Sequence, residues 1–189
     1  GSTHPGEEEI VLNIFKRLRE GIPGVCLILA PRHVERAGEV AALIKKHGLG
    51  FSRFSDVRAQ RERADDVLLV DTIGHLRYLY RYASVVFVGK SLTGRGGQNV
   101  IEPASLGKPV IVGPHMENFR SARDLLLRYD ALVVVENAAE LEKAVVSLFS
   151  DPARAEALGK NARAAVEEQR GAVARTLECV EKIQRTALF

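Results

Sequence analysis

Residues 84–119 place the strongest constraint on how this chain can fold, because they predict a strand, a glycine-rich turn, a helix and a second strand in succession. Residues 85–88 form a short, β-branched apolar run that is typical of a buried strand. Gly94-Arg95-Gly96-Gly97 follows, and three of these four residues lack a Cβ, which disfavours both helix and strand. A second apolar run at residues 109–113 completes a predicted βαβ unit.

The helix of this unit is predicted to begin at Asn99 and to end at Gly107. Asn99 is a favourable N-cap, and Pro103 is tolerated only within a first helical turn. Glycine-rich turns and helix N-termini both bind anions, because their N–H groups converge. Two interpretations remain open. Either Asn99 and the glycine amides hold phosphate oxygens while Glu102 accepts hydrogen bonds from ribose, or Glu102 reaches back to the Asn99 N–H in a capping box.

Short apolar runs alternate with amphipathic segments along the rest of the chain, and the charged residues 58–65 predict a loop. Further strands are predicted at residues 25–30, 51–54, 67–70 and 132–135. Further helices are predicted at residues 7–20, 34–47, 73–83, 118–129 and 139–149, and a last helical stretch over residues 152–188 is predicted to be interrupted at Gly159 and Gly171.

This alternation indicates an α/β fold with a doubly wound, Rossmann-like parallel sheet, formed by residues 1–189 as one domain. The first predicted element is a helix, with Glu7 and Glu8 as ordinary first-turn acids that favour the helix dipole. Because a domain of this kind normally opens with a strand, we expect a strand ahead of that helix.

Composition excludes several classes of function. The chain is 46% hydrophobic, as in globular proteins with a core, but no apolar run approaches the roughly 20 residues of a membrane span, so we expect a soluble domain. Its net charge is +3, yet Lys and Arg are scattered among acids and not interleaved with aromatic residues, which argues against a nucleic-acid partner. Cys26 and Cys179 have neither metal-ligand nor disulfide spacing, and the sequence contains no metal-binding constellation.

Polar clusters follow four of the predicted strands, where ligands bind in such sheets. Arg32 is placed to pair with a phosphate, although Arg32 and His33 would otherwise be a surface arginine and a capping histidine. His115 and Glu117 could act as an acid and a base, or they could be structural, with Asn118 as the N-cap of the next helix. The clusters are residues 31–33, 71–72, 90–99 and 115–118.

Two common phosphate-binding motifs are not present. Gly89-Lys90-Ser91 resembles the end of a P-loop, but Ser84 stands where the first glycine would be required. Gly94-x-Gly96 lacks the third glycine of a dinucleotide fingerprint, because Asn99 stands there.

Seven segments resemble, in order and spacing, the C-terminal half of bacterial 3-deoxy-D-manno-octulosonic acid (Kdo) transferases. The most specific are Arg-Gly-Gly-x-Asn-x-x-Glu-Pro at residues 95–103 and Gly-Pro-His-Met-Glu-Asn at residues 113–118. Many members of that family have a second glycine at the position of Lys90 and a histidine at the position of Gln98. The remaining segments are residues 2–8, 31–36, 71–74, 86–89 and 107–109.

The resemblance implies a GT-B glycosyltransferase of lipopolysaccharide biosynthesis that takes Kdo from CMP-Kdo and adds it to a lipid A precursor at the cytoplasmic face of the inner membrane. This chain would bind the sugar nucleotide. We expect the acceptor-binding domain, with the catalytic base and any membrane attachment, to lie outside it, so that the isolated domain is inactive. No cofactor or metal ion is implied, because positive groups and oriented amides can absorb the charge on the departing CMP.

The resemblance also assigns roles to individual residues. Arg32 would meet the CMP phosphate with Asn99 and the glycine amides, and Glu102 would hold the ribose. The full predicted binding set is Arg32, His33, Ile73, Gly74, Arg95, Gly96, Gly97, Asn99, Glu102 and Met116, with His4, His115 and Glu117 near an interdomain cleft. The alternatives are a GT-B domain that binds a UDP-sugar, including epimerases of that shape, and a non-catalytic doubly wound binding module.

Overall fold

The computed structural model describes residues 1–60 and 66–169, and within them all six predicted strands are confirmed. Each strand is three residues long: β1 (Leu27–Leu29), β2 (Phe51–Arg53), β3 (Val67–Leu69), β4 (Val86–Val88), β5 (Val110–Val112) and β6 (Leu132–Val134). The helices are α1 (Glu7–Gly21), α2 (Ala37–Lys46), α3 (Phe54–Gln60), α4 (Leu76–Leu79), α5 (Ile101–Ser105), α6 (Arg120–Arg128), α7 (Ala138–Ser150) and α8 (Pro152–Glu168).

The strands form two parallel sheets, with the orders β1-β3-β2 and β4-β5-β6. Residues 1–3 lie between the two sheets and contact both. Thr3 forms a parallel bridge with Pro31, next to the end of β1, while the Gly89 N–H after β4 donates to the Gly1 carbonyl at 2.9 Å. The predicted α/β fold with a parallel, Rossmann-like sheet is therefore confirmed.

The core lies on both faces of the strands, as expected for a parallel sheet. All three residues of β5 are buried. Leu12 and Phe15 of α1 pack with residues of α2 and with β3, while α5, α6 and α8 cover β4 and β5. Covering both faces leaves the ends of the strands as the place where polar loops meet.

Several predicted boundaries are wrong. Residues 58–60 belong to α3 and not to a loop, and residues 61–65 lie outside the described part of the chain. The Asp71 carboxylate accepts hydrogen bonds from the Ser55 N–H at 3.0 Å and the Ser55 hydroxyl at 2.7 Å, which anchors the first turn of α3. Helix α4 begins at Leu76 rather than at residue 73, because Gly74 turns the chain with φ +82°.

Asn118 does not cap α6, which begins at Arg120 after a short 3₁₀ turn (Glu117–Phe119). Helix α8 is continuous through Gly159, where an interruption was predicted, and Gly171 lies outside the described residues. A Cβ at Gly159 would overlap the carbonyl oxygen of Gly107. This glycine therefore lets α8 pack against the chain just after α5.

We predict that Gly159→Ala lowers the free energy of unfolding by about 2 kcal/mol, because overpacking outweighs the roughly 1 kcal/mol that alanine gains in a helix. Gly38→Ala in α2 is the matched control. A Cβ there meets nothing within 4 Å, so this change should raise the stability by up to about 1 kcal/mol. Urea denaturation measures both values, and a stabilised Gly159→Ala variant would contradict the packing role.

Candidate functional site

The polar clusters predicted from the sequence lie along one edge of the molecule. Residues 1–3 run parallel to both β1 and β4, so the two sheets point the same way and their carboxyl ends share an edge. Arg32 and His33 follow β1 and are exposed. Ile73 follows β3 and is 80% exposed, and the turn at residues 94–97 follows β4. We call this edge the carboxyl rim.

A buried carboxylate lies at the centre of the carboxyl rim. Glu7, at the start of α1, is fully buried. Its Oε2 accepts hydrogen bonds from the backbone N–H groups of His4 at 2.9 Å and Lys90 at 2.7 Å. Its Oε1 accepts from the N–H groups of Ser91 at 3.1 Å and Leu92 at 3.0 Å. One side chain thus joins the segment before α1 to the loop after β4.

The role of Glu7 was missed by sequence reasoning, which treated it as a first-turn acid. Three of its four partners lie 83 to 85 residues away along the chain. Its neighbour Glu8 is also buried and accepts hydrogen bonds from the Arg36 guanidinium, at 2.8 Å for the shorter contact. No local spacing rule identifies partners at such separations.

Lys90, in the loop after β4, has a backbone conformation that glycine adopts more readily than other residues. Lys90 has φ +56°, in the left-handed region that disfavours side chains. Gly89 before it has no room for a Cβ, which would lie 2.5 Å from the Ser2 carbonyl oxygen and 2.6 Å from the Thr3 Cα. The chain at Gly89 and Lys90 therefore packs closely against residues 2 and 3.

The glycine turn packs closely on the loop after β5. The Gly96 N–H donates to the Glu117 carboxylate at 2.7 Å, and the Gly97 N–H donates to the Lys90 carbonyl at 2.9 Å. A Cβ at Gly97 would overlap the Met116 sulfur, and one at Gly96 would lie 2.6 Å from Asn118 Nδ2. Both amides that were predicted to hold phosphate thus already donate within the chain.

Glu117 occupies the position of an anion at the Gly96 amide. Hydrogen bonds from its own backbone N–H and from that of Gly96 lower the pKa of the Glu117 carboxyl below its usual value. The carboxylate is exposed and also lies 3.4 Å from Nδ1 of His115. A phosphate could reach the Gly96 N–H only after Glu117 turns away.

Asn99 and Glu102 do not form the capping box that was one of the two interpretations left open by the sequence. The Asn99 side-chain oxygen accepts from the Ile101 N–H at 3.0 Å, but Asn99 is not the predicted N-cap of α5, because the helix begins at Ile101, two residues later than predicted, with Val100 as its N-cap. The Asn99 side-chain amide donates to Glu102 Oε1 at 3.2 Å. Glu102 therefore does not form the predicted reciprocal bond to the Asn99 backbone, and its exposed carboxylate faces solvent at the start of α5.

Two histidines meet on the other side of Glu7. The rings of His4 and His33 contact edge to face, with centroids 5.7 Å apart. Burial lowers the pKa of His4 by disfavouring its charged form. Nε2 of His4 is buried without a hydrogen-bond partner among the described residues. His33 does not cap the following 3₁₀ turn with its side chain.

Met116 contributes to the core and not to an open pocket. Its side chain is 1% exposed and packs with Val88, Val100 and Leu126. At Met116, therefore, only the backbone and not the side chain can line a ligand site. His33 contacts His4, and His4 is joined to residues 90–97 through the Glu7 carboxylate. The Gly96 N–H in turn donates to Glu117, whereas Arg32, Ile73 and Arg95 are exposed side chains along the same edge.

Within residues 1–60 and 66–169, no group of three or more His, Cys, Asp or Glu side chains could hold a metal ion. Over the same residues, no helix has both the length and the apolar character needed to cross a bilayer.

Solved structures identify the class of domain. The C-terminal CMP-Kdo binding domain of WaaA from Acinetobacter baumannii superposes with a TM-score of 0.79 and 29% identity, over 87% of this chain and 86% of that one. The C-terminal domain of a glycosyl transferase group 1 family protein from Francisella tularensis shares the fold, with a TM-score of 0.61 and 15% identity. This superposition covers 87% of this chain and 78% of that one. This chain is a Rossmann-like domain of the GT-B glycosyltransferase type.

Sequence relatives identify the particular family. The chain is 36% identical over 181 residues to the 3-deoxy-D-manno-octulosonic acid transferase of Haemophilus influenzae, which covers 95% of this chain and 42% of that protein. It is 38% identical over 184 residues to the 3-deoxy-D-manno-octulosonic acid transferase of Bordetella pertussis, and this match covers 95% of this chain and 43% of that protein. No protein-family model matches. The chain is a homologue of Kdo transferases, as its motifs predicted, and spans less than half the length of these curated relatives.

We predict that Glu7→Gln lowers the free energy of unfolding by about 3 kcal/mol, because a buried amide group would face backbone donors in place of an oxygen. Glu9→Gln in the same helical turn is the control, since Glu9 is exposed and should change stability by less than about 0.5 kcal/mol. Urea denaturation of both variants measures the difference, and equal stabilities would show that the carboxylate is not required.

Proposed function

We propose that this chain is the CMP-Kdo-binding domain of a Kdo transferase, which transfers Kdo from CMP-Kdo to a lipid A precursor. The observation that carries the proposal is the likeness to the Acinetobacter domain named for CMP-Kdo binding, which extends over more than four fifths of both chains. The relatives named as Kdo transferases match along 95% of this chain. Residues 1–189 then act as one sugar-nucleotide-binding domain.

The carboxyl rim supplies the groups that such a ligand needs. The exposed Arg32 guanidinium pairs with the CMP phosphate, and Arg95 adds positive charge beside the glycine turn. Asn99 holds one oxygen of Glu102, whose other oxygen accepts hydrogen bonds from the ribose hydroxyls. His33 and the backbone at residues 73–74 complete the pocket, with no cofactor or metal ion.

The reaction is displacement at the anomeric carbon of Kdo, with CMP as the leaving group. Negative charge develops on the departing phosphate, and the cationic side chains of the carboxyl rim stabilise it. Activation of the acceptor hydroxyl belongs to the other domain of the full-length enzyme, so the isolated domain binds the donor without turnover. His4, His115 and Glu117 face the cleft between the domains.

The remaining parts of the proposal concern the full-length protein. Its acceptor is a lipid A precursor, which places the reaction at the cytoplasmic face of the bacterial inner membrane, in lipopolysaccharide biosynthesis. Contact with the membrane is made through the acceptor-binding domain. The part of the proposal that can be tested with this chain is that it binds CMP more tightly than UMP.

We predict that Arg32→Ala weakens CMP binding about 10-fold or more, because a charge-assisted contact is worth about 1.5–3 kcal/mol. Arg128→Ala is the matched control, since this exposed arginine lies in the last turn of α6. Isothermal titration of CMP and UMP into the chain and both variants gives the affinities. Equal CMP affinity in all three proteins, or no preference for CMP over UMP, would count against the assignment.

We predict that Glu117→Gln strengthens CMP binding several-fold, because it removes a negative charge from the Gly96 amide and so favours phosphate there. Glu168→Gln, an exposed acid in the last turn of α8, is the control and should leave the affinity unchanged. The same titration measures both. Weaker binding by Glu117→Gln would mean that the phosphate does not compete with this carboxylate.

A further inference from the structure

Lys90 has a strained backbone conformation on the carboxyl rim. Its φ of +56° lies in the left-handed region, which is unfavourable for any residue that has a Cβ. Among the other non-glycine residues that the structure describes, only Ser2 and Asp130 have a positive φ. Residues held in such conformations cluster at functional sites, where the surrounding structure offsets the strain. The side chain at position 90 is therefore a candidate for a role in binding.

The shape of the turn does not require this side chain. The Lys90 N–H donates to Glu7 Oε2 at 2.7 Å, and the Lys90 carbonyl accepts from the Gly97 N–H at 2.9 Å. Both bonds involve only the backbone of Lys90, so glycine at this position would keep them and would adopt the same φ more readily. The lysine thus adds strain to the turn without adding a contact that holds it.

The Lys90 ammonium is a cation without a partner in the described part of the chain. No ion pair or side-chain hydrogen bond within residues 1–60 and 66–169 includes it. The residue is partly buried. The Glu7 carboxylate, to which its backbone bonds, already accepts from four backbone N–H groups. The ammonium is therefore available to an anion that comes from outside the chain.

Lys90 and Arg32 flank the segment of Thr3 and His4 from its two sides. The N–H groups of His4 and Lys90 donate to the same oxygen of Glu7, at 2.9 and 2.7 Å. On the β1 side, the Arg32 N–H donates to the Thr3 carbonyl at 2.9 Å. Burial lowers the pKa of His4, the Glu7 carboxylate opposes this shift, and the charge of Lys90 lowers the pKa further, which places the ammonium near the His4 ring.

The donor of the proposed function carries two anionic groups on one carbon. Kdo is the sugar of a 2-keto acid, so its anomeric carbon bears a carboxylate as well as the bond to the CMP phosphate. If Arg32 pairs with the phosphate, the carboxylate lies beside it and requires a second cation. The anomeric carbon of an aldose in a UDP-sugar bears no carboxylate, so a cation at this place would distinguish the two classes of donor.

We propose that the Lys90 ammonium binds the carboxylate on the anomeric carbon of the donor and so selects a sugar that is a 2-keto acid. An ammonium paired with a carboxylate forms a strong, charge-assisted hydrogen bond. Lys90 on the β4 side and Arg32 on the β1 side then hold the two anionic groups of one carbon. The assignment of Lys90 rests on the proposed function, in which this chain binds CMP-Kdo.

The test measures the binding of CMP and of CMP-Kdo to the chain and to its Lys90→Gly and Lys90→Gln variants by isothermal titration. Glycine suits φ +56°, so the Lys90→Gly variant is expected to fold. We expect both variants to bind CMP-Kdo about 10-fold or more weakly and to bind CMP within about 2-fold of the unmodified chain, because CMP has no carboxylate. Lys90→Arg keeps the charge and should retain most of the affinity for CMP-Kdo.

Lys16→Gln is the matched control, because it removes the same charge from an exposed position of α1 and should change neither affinity. Unchanged CMP-Kdo binding by Lys90→Gln, equal weakening of CMP and CMP-Kdo, or a loss in Lys90→Arg as large as in Lys90→Gln would overturn the assignment of Lys90. Each of these results leaves CMP binding by the unmodified chain in place. Failure of the unmodified chain to bind CMP would instead contradict the proposed function, and the assignment with it.

Discussion

The carboxyl rim depends on one buried carboxylate that is shared among four backbone amides. Glu7 accepts from His4, Lys90, Ser91 and Leu92, at 2.7 to 3.1 Å. Such charge-assisted bonds are the strong ones, and losing the acceptor would leave buried donors unpaired. The interaction fixes the start of α1 against the loop after β4. His4, which contacts His33, donates to this carboxylate, and the Gly97 N–H of the glycine turn donates to the carbonyl of Lys90.

The shape of the glycine turn is set by the side chains of Asn118 and Met116, which pack directly against its backbone. Gly96 and Gly97 lack side chains because Asn118 and Met116 occupy the space, and their amides donate to Glu117 and to the Lys90 carbonyl. An exposed acid therefore holds the place where a phosphate would be expected. Under the proposed function, a nucleotide phosphate would replace the Glu117 carboxylate at this turn, beside the exposed side chains of Arg32 and Arg95.

Much of the fold could be predicted because its signals are local. The six strands are short β-branched runs, and each was located to within a few residues. Boundaries failed where a distant partner decides them: Asp71 anchors α3, and the carbonyl of Gly107 explains why α8 continues through Gly159. The predicted site residues lie together at the carboxyl ends of the strands for a topological reason, since neighbouring parallel strands end at a common edge. The assignment of individual ligand residues remains a prediction.

The order of apolar runs, the glycine positions and the specific motifs at residues 95–103 and 113–118 determined the fold class and the family, because each is a property of neighbouring residues. Tertiary structure alone decided that the Glu7 carboxylate accepts hydrogen bonds from four backbone N–H groups and that the Gly96 N–H donates to Glu117. These features depend on distances between segments up to 85 residues apart, which no local spacing encodes.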